Sequence, residues 1–299
     1  MTTQAESLIR QIEALIHEDV GRNVGPLFEA TRGNLARAAE AIARSAPSIG
    51  VLTGFYVPLG DPPAAETDGP VGSALLAAAL TEAGIACRLL TDEPCASGCQ
   101  AALEAAGMRD RVTLDVVPVA APLGDMIATW RDAGVAVAIA VERCGRTAGG
   151  PPRNMRGVDI SPHTAPLDEL FLAGPWTTVA IGDGGNELGL GALPRALVAQ
   201  HVANGELITS ITPAEHLIMA GVSHWGCYAL IAAIAMLRPE WRDAMLRWLD
   251  PEVDAAILEH MIAHGPAVDG VTQRRTRTID AIGMNVHREK LAAIAALIT

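Results

Sequence analysis

Lysine is nearly missing from this sequence: among 22 basic side chains in 299 residues, Lys290 is the one lysine. Schiff-base chemistry, pyridoxal phosphate enzymes included, would have to rest on that residue near the C-terminus, which argues against it. Aromatic residues make up 3% of a chain that is 50% hydrophobic, so a sizeable core must be built from Ala, Val, Leu and Ile. The net charge is −12, with no basic run and no interleaved aromatics. Nucleic acid is thereby excluded as a partner, because the phosphate backbone demands a positive footprint. Five cysteines, an odd number without paired CxxC spacing, suit a reducing cytosol better than a disulfide scaffold or a zinc ribbon. Met1 to Glu13 is too polar for a secretory signal, so a cytoplasmic location is expected. Leu217 to Leu237 carries no formal charge and is long enough for a bilayer of ~30 Å. Gly221, Ser223, His224 and Gly226 interrupt it, so it reads as a short strand or loop followed by a buried helix, not a membrane span. A P-loop, a dinucleotide GxGxxG, a zincin HExxH and a nucleophile-elbow GxSxG are all missing.

The residues that are present fall into a rhythm. Two helical patterns, Glu6 to Glu18 and Asn34 to Arg44, open the chain. Strands are then expected at Ile49 to Thr53, Ile85 to Leu90, Val112 to Val119, Val135 to Val141 and Thr178 to Ile181. The intervening helices fall at Pro70 to Ala83, Ala96 to Ala106, Asp125 to Ala133 and Glu187 to His201. Alternating strand and helix predicts a parallel sheet with right-handed crossovers, and continuously apolar strands predict cover on both faces. The expected fold is α/β, Rossmann-like and doubly wound, as one domain over residues 1–299. Helical additions are expected at about 1–46 and about 225–299. A homo-oligomer, with the helical C-terminal part as its interface, stays open.

In such sheets ligands bind beyond the carboxyl ends of the strands, and four polar segments lie there. In Gly182-Asp183-Gly184-Gly185-Asn186-Glu187-Leu188-Gly189, two glycines cost stability unless the backbone needs unusual angles or close approach. Asp183 and Glu187, four apart at an expected helix start, could face one ligand and suit a hard divalent cation such as Mg²⁺ or Mn²⁺. The plainer alternative is an N-cap with a first-turn Glu. Glu142-Arg143-Cys144-Gly145-Arg146 follows the most apolar strand and supplies a metal ligand or base and two guanidiniums for carboxylate or phosphate. Cys144 between two cations would be a nucleophile with a depressed pKa, or simply a small packing residue. Arg153 to Ser161 adds Asn154, Arg156 and Asp159 in a long loop, and Glu66-Thr67-Asp68-Gly69-Pro70 adds two acids before a helix, which could present carboxylates or backbone amides to a ligand, although capping alone would account for them.

Together these segments, extended by Ser223-His224-Trp225-Gly226 and Val268-Asp269-Gly270-Val271-Thr272, resemble the D-glutamate cyclase family, and more narrowly its C-terminal cyclase-like domain. The chain departs from the family pattern at His224, where Asn is usual. The resemblance implies a metal-assisted hydro-lyase that converts D-glutamate to 5-oxo-D-proline. It implies catalytic roles for Glu142, Asp183 and either Asp68 or Asp159. A cation would sit on Asp183, Glu187 and Glu142. A small acidic metabolite would be held by Arg143, Arg146, Asn154, Arg156, Gly184, Gly185, Asn186 and His224. A metal-dependent phosphohydrolase and a non-catalytic protein that binds an acidic metabolite are the competing readings.

Overall fold

The computed structural model describes residues 3–45 and 48–298. Six strands form the central sheet: β1 (Ser48–Thr53), β2 (Ala86–Asp92), β3 (Thr113–Val117), β4 (Val137–Val141), β5 (Thr177–Gly182) and β6 (His216–Met219). Their order is β6-β5-β4-β1-β2-β3, and every pairing is parallel. This is the doubly wound α/β arrangement that the apolar runs predict. The chain reverses direction across the sheet between β1 and β4, so a crevice opens beyond their carboxyl ends.

Side chains alternate across the strands and feed two cores. Ile49, Val51, Val137, Ile139 and Val141 face one core, and Leu52, Ala138 and Ala140 face the other. The first core is covered by α1 (Thr3–Ile16), α3 (Asn34–Ser45), α4 (Pro70–Glu82) and α5 (Glu93–Ala105), and by three C-terminal helices, α10 (Ser223–Leu237), α12 (Pro251–His264) and α13 (Met284–Ile298). The second is covered by α2 (Gly25–Thr31), α6 (Gly124–Asp132), α7 (Asp168–Ala173) and α8 (Arg195–His201). Short helices α9 (Gly205–Ile208) and α11 (Arg242–Leu246) complete the set. In α1 the apolar stripe Ile9, Ile12 and Ile16 is spaced to bury one face. In α10 nearly every residue is buried, which is why its sequence is apolar all round. No described helix is long and apolar enough to cross a membrane: the uncharged Leu217 to Leu237 run divides into β6 and α10.

Some expectations shift. The helical N-terminal addition is three helices, since α2 joins the expected pair. Residues 1, 2 and 46 of the expected helical range about 1–46, and residue 299, lie outside the described residues. The expected helix from Glu187 to His201 is corrected: residues 183–194 form turns and isolated bridges, and α8 starts only at Arg195, after Pro194. Its physical reason lies in the contacts of Glu187, described below.

Candidate active site

Three carboxylates arrive at the crevice from three connections. Glu142 is the first residue past β4, Asp183 the first past β5, and Asp68 ends the excursion between β1 and α4. One oxygen of each lies within 4.8 Å of the others, and all three residues are buried. Ser223, the first residue of α10, ties them together. Its backbone N–H lies 2.8 Å from Asp183 Oδ2 and 3.2 Å from Asp68 Oδ2, and its hydroxyl donates to Glu142 Oε2 at 2.6 Å. The carboxylates therefore sit on the positive end of a 15-residue helix. Asp68 Oδ1 also accepts from the Gly69 N–H, where α4 begins. Glu142 holds φ +43°, a conformation that costs a non-glycine residue about 1–2 kcal/mol and tends to mark functional sites.

Beside the trio lies a cavity of about 270 Å³, whose wall includes Arg22, Phe55, Tyr56, Glu66, Glu142, Asn154, Met155, Arg156, Asp183, Asn186 and Asp280. Arg22 reaches Asp183 Oδ1 at 3.6 Å, Asp280 Oδ2 at 2.8 Å and the Gly221 carbonyl at 2.9 Å. Burial opposes its charge, but Asp183 and Asp280 outweigh burial and raise its pKa. One buried guanidinium cannot balance so many acids. Burial, followed by repulsion from Asp183, Glu187 and Asp68, lifts Glu142 well above the carboxylate range. Burial and Asp280 raise Asp68 to about 7. Asp183 is raised by burial despite Arg22, and Glu66 by burial and Asp280. Such a cluster must take up protons or a cation. Three buried hard oxygen donors this close fit a divalent cation of the Mg²⁺ or Mn²⁺ kind, and the residues able to hold it are Asp68, Glu142 and Asp183.

The residues expected at the site divide sharply. Glu142, Asp183, Asn154, Arg156 and Asn186 line the cavity, and Asp68 joins the carboxylate trio. Glu187 does not face it as a ligand. Its carboxylate folds back to accept from the N–H groups of Asp183 (2.9 Å), Gly184 (2.5 Å) and Gly185 (2.6 Å). This ring of backbone donors takes the place of the expected helix start and aims Asp183. Gly185 sits at φ +123°, and a Cβ on Gly184 would meet Met155 Sδ at 2.8 Å, so both glycines serve the turn. Arg143 turns into the interior, paired with Asp92 at 2.7 Å and donating to the Gly54 and Ala165 carbonyls. Arg146 is exposed and lines a different cavity with Ser161 and Asp168. Asp159 is exposed on its loop, where Oδ1 accepts from the Ser161 N–H. His224 lies inside the helical layer, its Nε2 2.7 Å from Asp254 Oδ1. Burial opposes its positive charge, but Asp254 outweighs burial and its pKa is raised. The reactive thiol reading of Cys144 is overturned: burial first, then Glu187, pushes its pKa up. Asn154 Oδ1 accepts from the Arg156 and Val158 N–H groups, closing the turn that carries Arg156 to the mouth.

Sequence reading overlooked Arg22, Asp280 and the part played by Ser223, and it took Glu66 for a capping residue. Arg22 follows Asp19, whose Oδ1 gathers the N–H groups of Gly21, Arg22 and Asn23 into a tight turn. An Asp followed two residues later by Gly was the available signal. Comparison with known proteins agrees with the motif strings. The sequence profile of the D-glutamate cyclase-like, C-terminal family matches residues 12–295. The chain belongs to this family. It is similar to the mitochondrial D-glutamate cyclase of Homo sapiens, with 31% identity over 259 residues, which cover 79% of this chain and 40% of that protein. The chain thus corresponds to well under half of that relative's length.

Proposed function

We propose that this chain is a lyase that closes D-glutamate to 5-oxo-D-proline with loss of water. The observation that carries the reading is the meeting of Asp68, Glu142 and Asp183 beside a small cavity that also holds Arg22 and Arg156, in a chain of the D-glutamate cyclase-like family. In this reaction the substrate ammonium gives up two protons and its nitrogen bonds to the carbon of the γ-carboxylate. One γ-oxygen departs, carrying both protons as water. The amine must be deprotonated, the γ-carboxylate must stop repelling it, and the departing oxygen must be protonated.

A divalent cation such as Mg²⁺ or Mn²⁺, held by Asp68, Glu142 and Asp183, supplies Lewis-acid polarisation of the carboxylate when bound. Ser223 and the N-terminus of α10 keep the three acids aimed at one point. Arg156, exposed at the mouth on the turn built by Asn154, takes the α-carboxylate with its planar pair of donors. Of the two acids weighed for proton movement, Asp68 belongs to the cluster and Asp159 does not. Without the cation, burial and Asp280 raise the Asp68 carboxyl to about 7, so it holds a proton near neutral pH and gives it up when the cation binds. Holding both ends of a short, flexible substrate favours ring closure, because intramolecular geometry can supply effective molarities of ~10⁵ M or more.

The test is to incubate purified protein with D-glutamate, with and without added Mg²⁺ or Mn²⁺, and to follow 5-oxoproline by chromatography alongside an Asp183→Asn variant. Product formed by the native chain and lost in the variant is expected. Absence of product from the native chain under every metal condition would discard the cyclisation.

A further inference from the structure

The mechanism above leaves two acids of the cavity wall unused, and of these Asp280 is paired with Arg22 while Glu66 is not. It ends a short strand, Ala64–Glu66, which pairs with Ala267–Val268. Its side chain is more than nine-tenths buried, lines the cavity, and has no hydrogen-bond or ion-pair partner among the described residues. The fold goes to some length to keep it there. A Cβ on Gly270 would fall 1.9 Å from Glu66 Oε1 and 2.4 Å from Cδ, so the carboxyl rests directly on the Gly270 backbone, and any larger residue would displace it. The Glu66 carboxyl opens onto the cavity, and a carboxylate in so confined a wall is costly unless a donor reaches it from the cavity.

The protein does not supply it. The guanidiniums of the cavity wall are Arg22 and Arg156. Arg22 is committed to Asp183, Asp280 and the Gly221 carbonyl. Arg156 donates to the Val271 carbonyl at the rim. The cavity therefore has a cationic mouth and an idle acid deeper in its wall, a layout complementary to a ligand with a carboxylate at one position and a cationic donor at another.

We propose that Glu66 anchors the α-ammonium group of the substrate, so that the site selects amino diacids over plain diacids of the same length; this rests on the cyclase reading of the same cavity. The ammonium supplies the donors that Glu66 lacks, and the anchor fixes which atom is presented to the γ-carboxyl carbon. Glu66 is not one of the three acids placed to hold the cation, although its charge adds to the repulsion at Glu142, so its removal leaves the cation's ligands in place.

Titration calorimetry of the purified protein, with Mg²⁺ held constant, would compare D-glutamate with glutarate, which differs only by the amine. Recovered samples would be assayed for 5-oxoproline. D-glutamate should bind tighter by about tenfold or more, the scale of one charge-assisted hydrogen bond. Glu66→Gln should bring the two ligands to within about twofold of each other, with Mg²⁺ still bound. Gly270→Ala, which displaces the carboxyl without removing it, should move the ratio the same way. Equal binding of both ligands by the native chain would overturn the anchor, as would a Glu66→Gln variant that keeps the preference or loses Mg²⁺ instead. A Glu66-dependent preference with no 5-oxoproline formed would keep the anchor and remove the cyclisation. Failure of the native chain to bind either ligand would remove both.

Discussion

Glu142 and Arg143 are neighbours in sequence at the end of the same strand, yet they meet opposite fates. Arg143 turns inward and is answered: Asp92 faces it at 2.7 Å, and the Gly54 and Ala165 carbonyls accept from it. Glu142 turns into the crevice in a strained backbone conformation. There Asp183, Glu187 and Asp68 all repel its charge. Two buried charges one residue apart thus separate structure from chemistry. The first is a solved problem that holds the β1, β4 and α7 connections together. The second stays unsolved until a proton, a cation or a substrate arrives. In this chain the degree of electrostatic satisfaction separates the candidate site from the scaffold better than charge or burial does.

The sharpest way to break the contrast is Arg143→Ala. It strands Asp92 in the interior, and removing one partner of a buried pair costs about 3–5 kcal/mol. Denaturant unfolding would measure this, and a loss below about 1 kcal/mol would mean that the pair is not structural. Glu142→Gln should do the reverse. The isosteric amide relieves repulsion, so the fold should hold or stiffen, while 5-oxoproline formation falls by about 10²–10³-fold, roughly 3–4 kcal/mol of barrier. An unchanged rate would remove Glu142 from the chemistry. A pH series sharpens the comparison further. Asp68 has its pKa raised to about 7 in the folded chain from its ordinary value of 3.8, so the folded state holds that proton more tightly. The stability this confers is complete below the unfolded pKa and is lost as pH rises through about 7. Metal-free protein should therefore lose about 2–3 kcal/mol between pH 5 and 7 relative to Asp68→Asn, and added Mg²⁺ should restore it. Parallel melting curves of the two proteins in chelator would contradict this.

The same contrast explains what could be read from sequence. The sheet was legible because its strands are short apolar runs bounded by turns: Val135 to Val141 was expected, and β4 spans Val137–Val141. The segments carrying the site were legible because they follow strands. The direction of individual side chains was not. Nothing in Glu142-Arg143 says which of the two faces the crevice. Nothing in the spacing of Asp183 and Glu187 says that Glu187 will bind three N–H groups of its own turn instead of beginning a helix. Arg22 and Asp280 come from loops near opposite ends of the chain and meet only in the folded state. Both are placed by turns with positive φ, at Gly21 and Asn23 and at Asp280 and Ala281. Periodicity has no access to such contacts, because they depend on the path of irregular backbone.

The smallest effect is expected at Asp159, which the family resemblance left as an alternative to Asp68 and the structure separates from it. Its carboxylate is exposed, and its Oδ1 accepts from the Ser161 N–H. The Ser161 hydroxyl and N–H together hold its pKa below the usual value. Asp159 is thus a carboxylate at ease in water, already hydrogen-bonded within its own loop, with no part in the cluster. Asp159→Asn keeps the size of the side chain and an oxygen able to accept from the same donor. Stability should therefore change by no more than about 0.5 kcal/mol, and the rate of 5-oxoproline formation should stay at the native level. A large drop in rate would mean that the loop from Thr147 to Ser161 closes over the cavity during turnover, delivers this acid to the substrate and gives Asp159 the proton-transfer role.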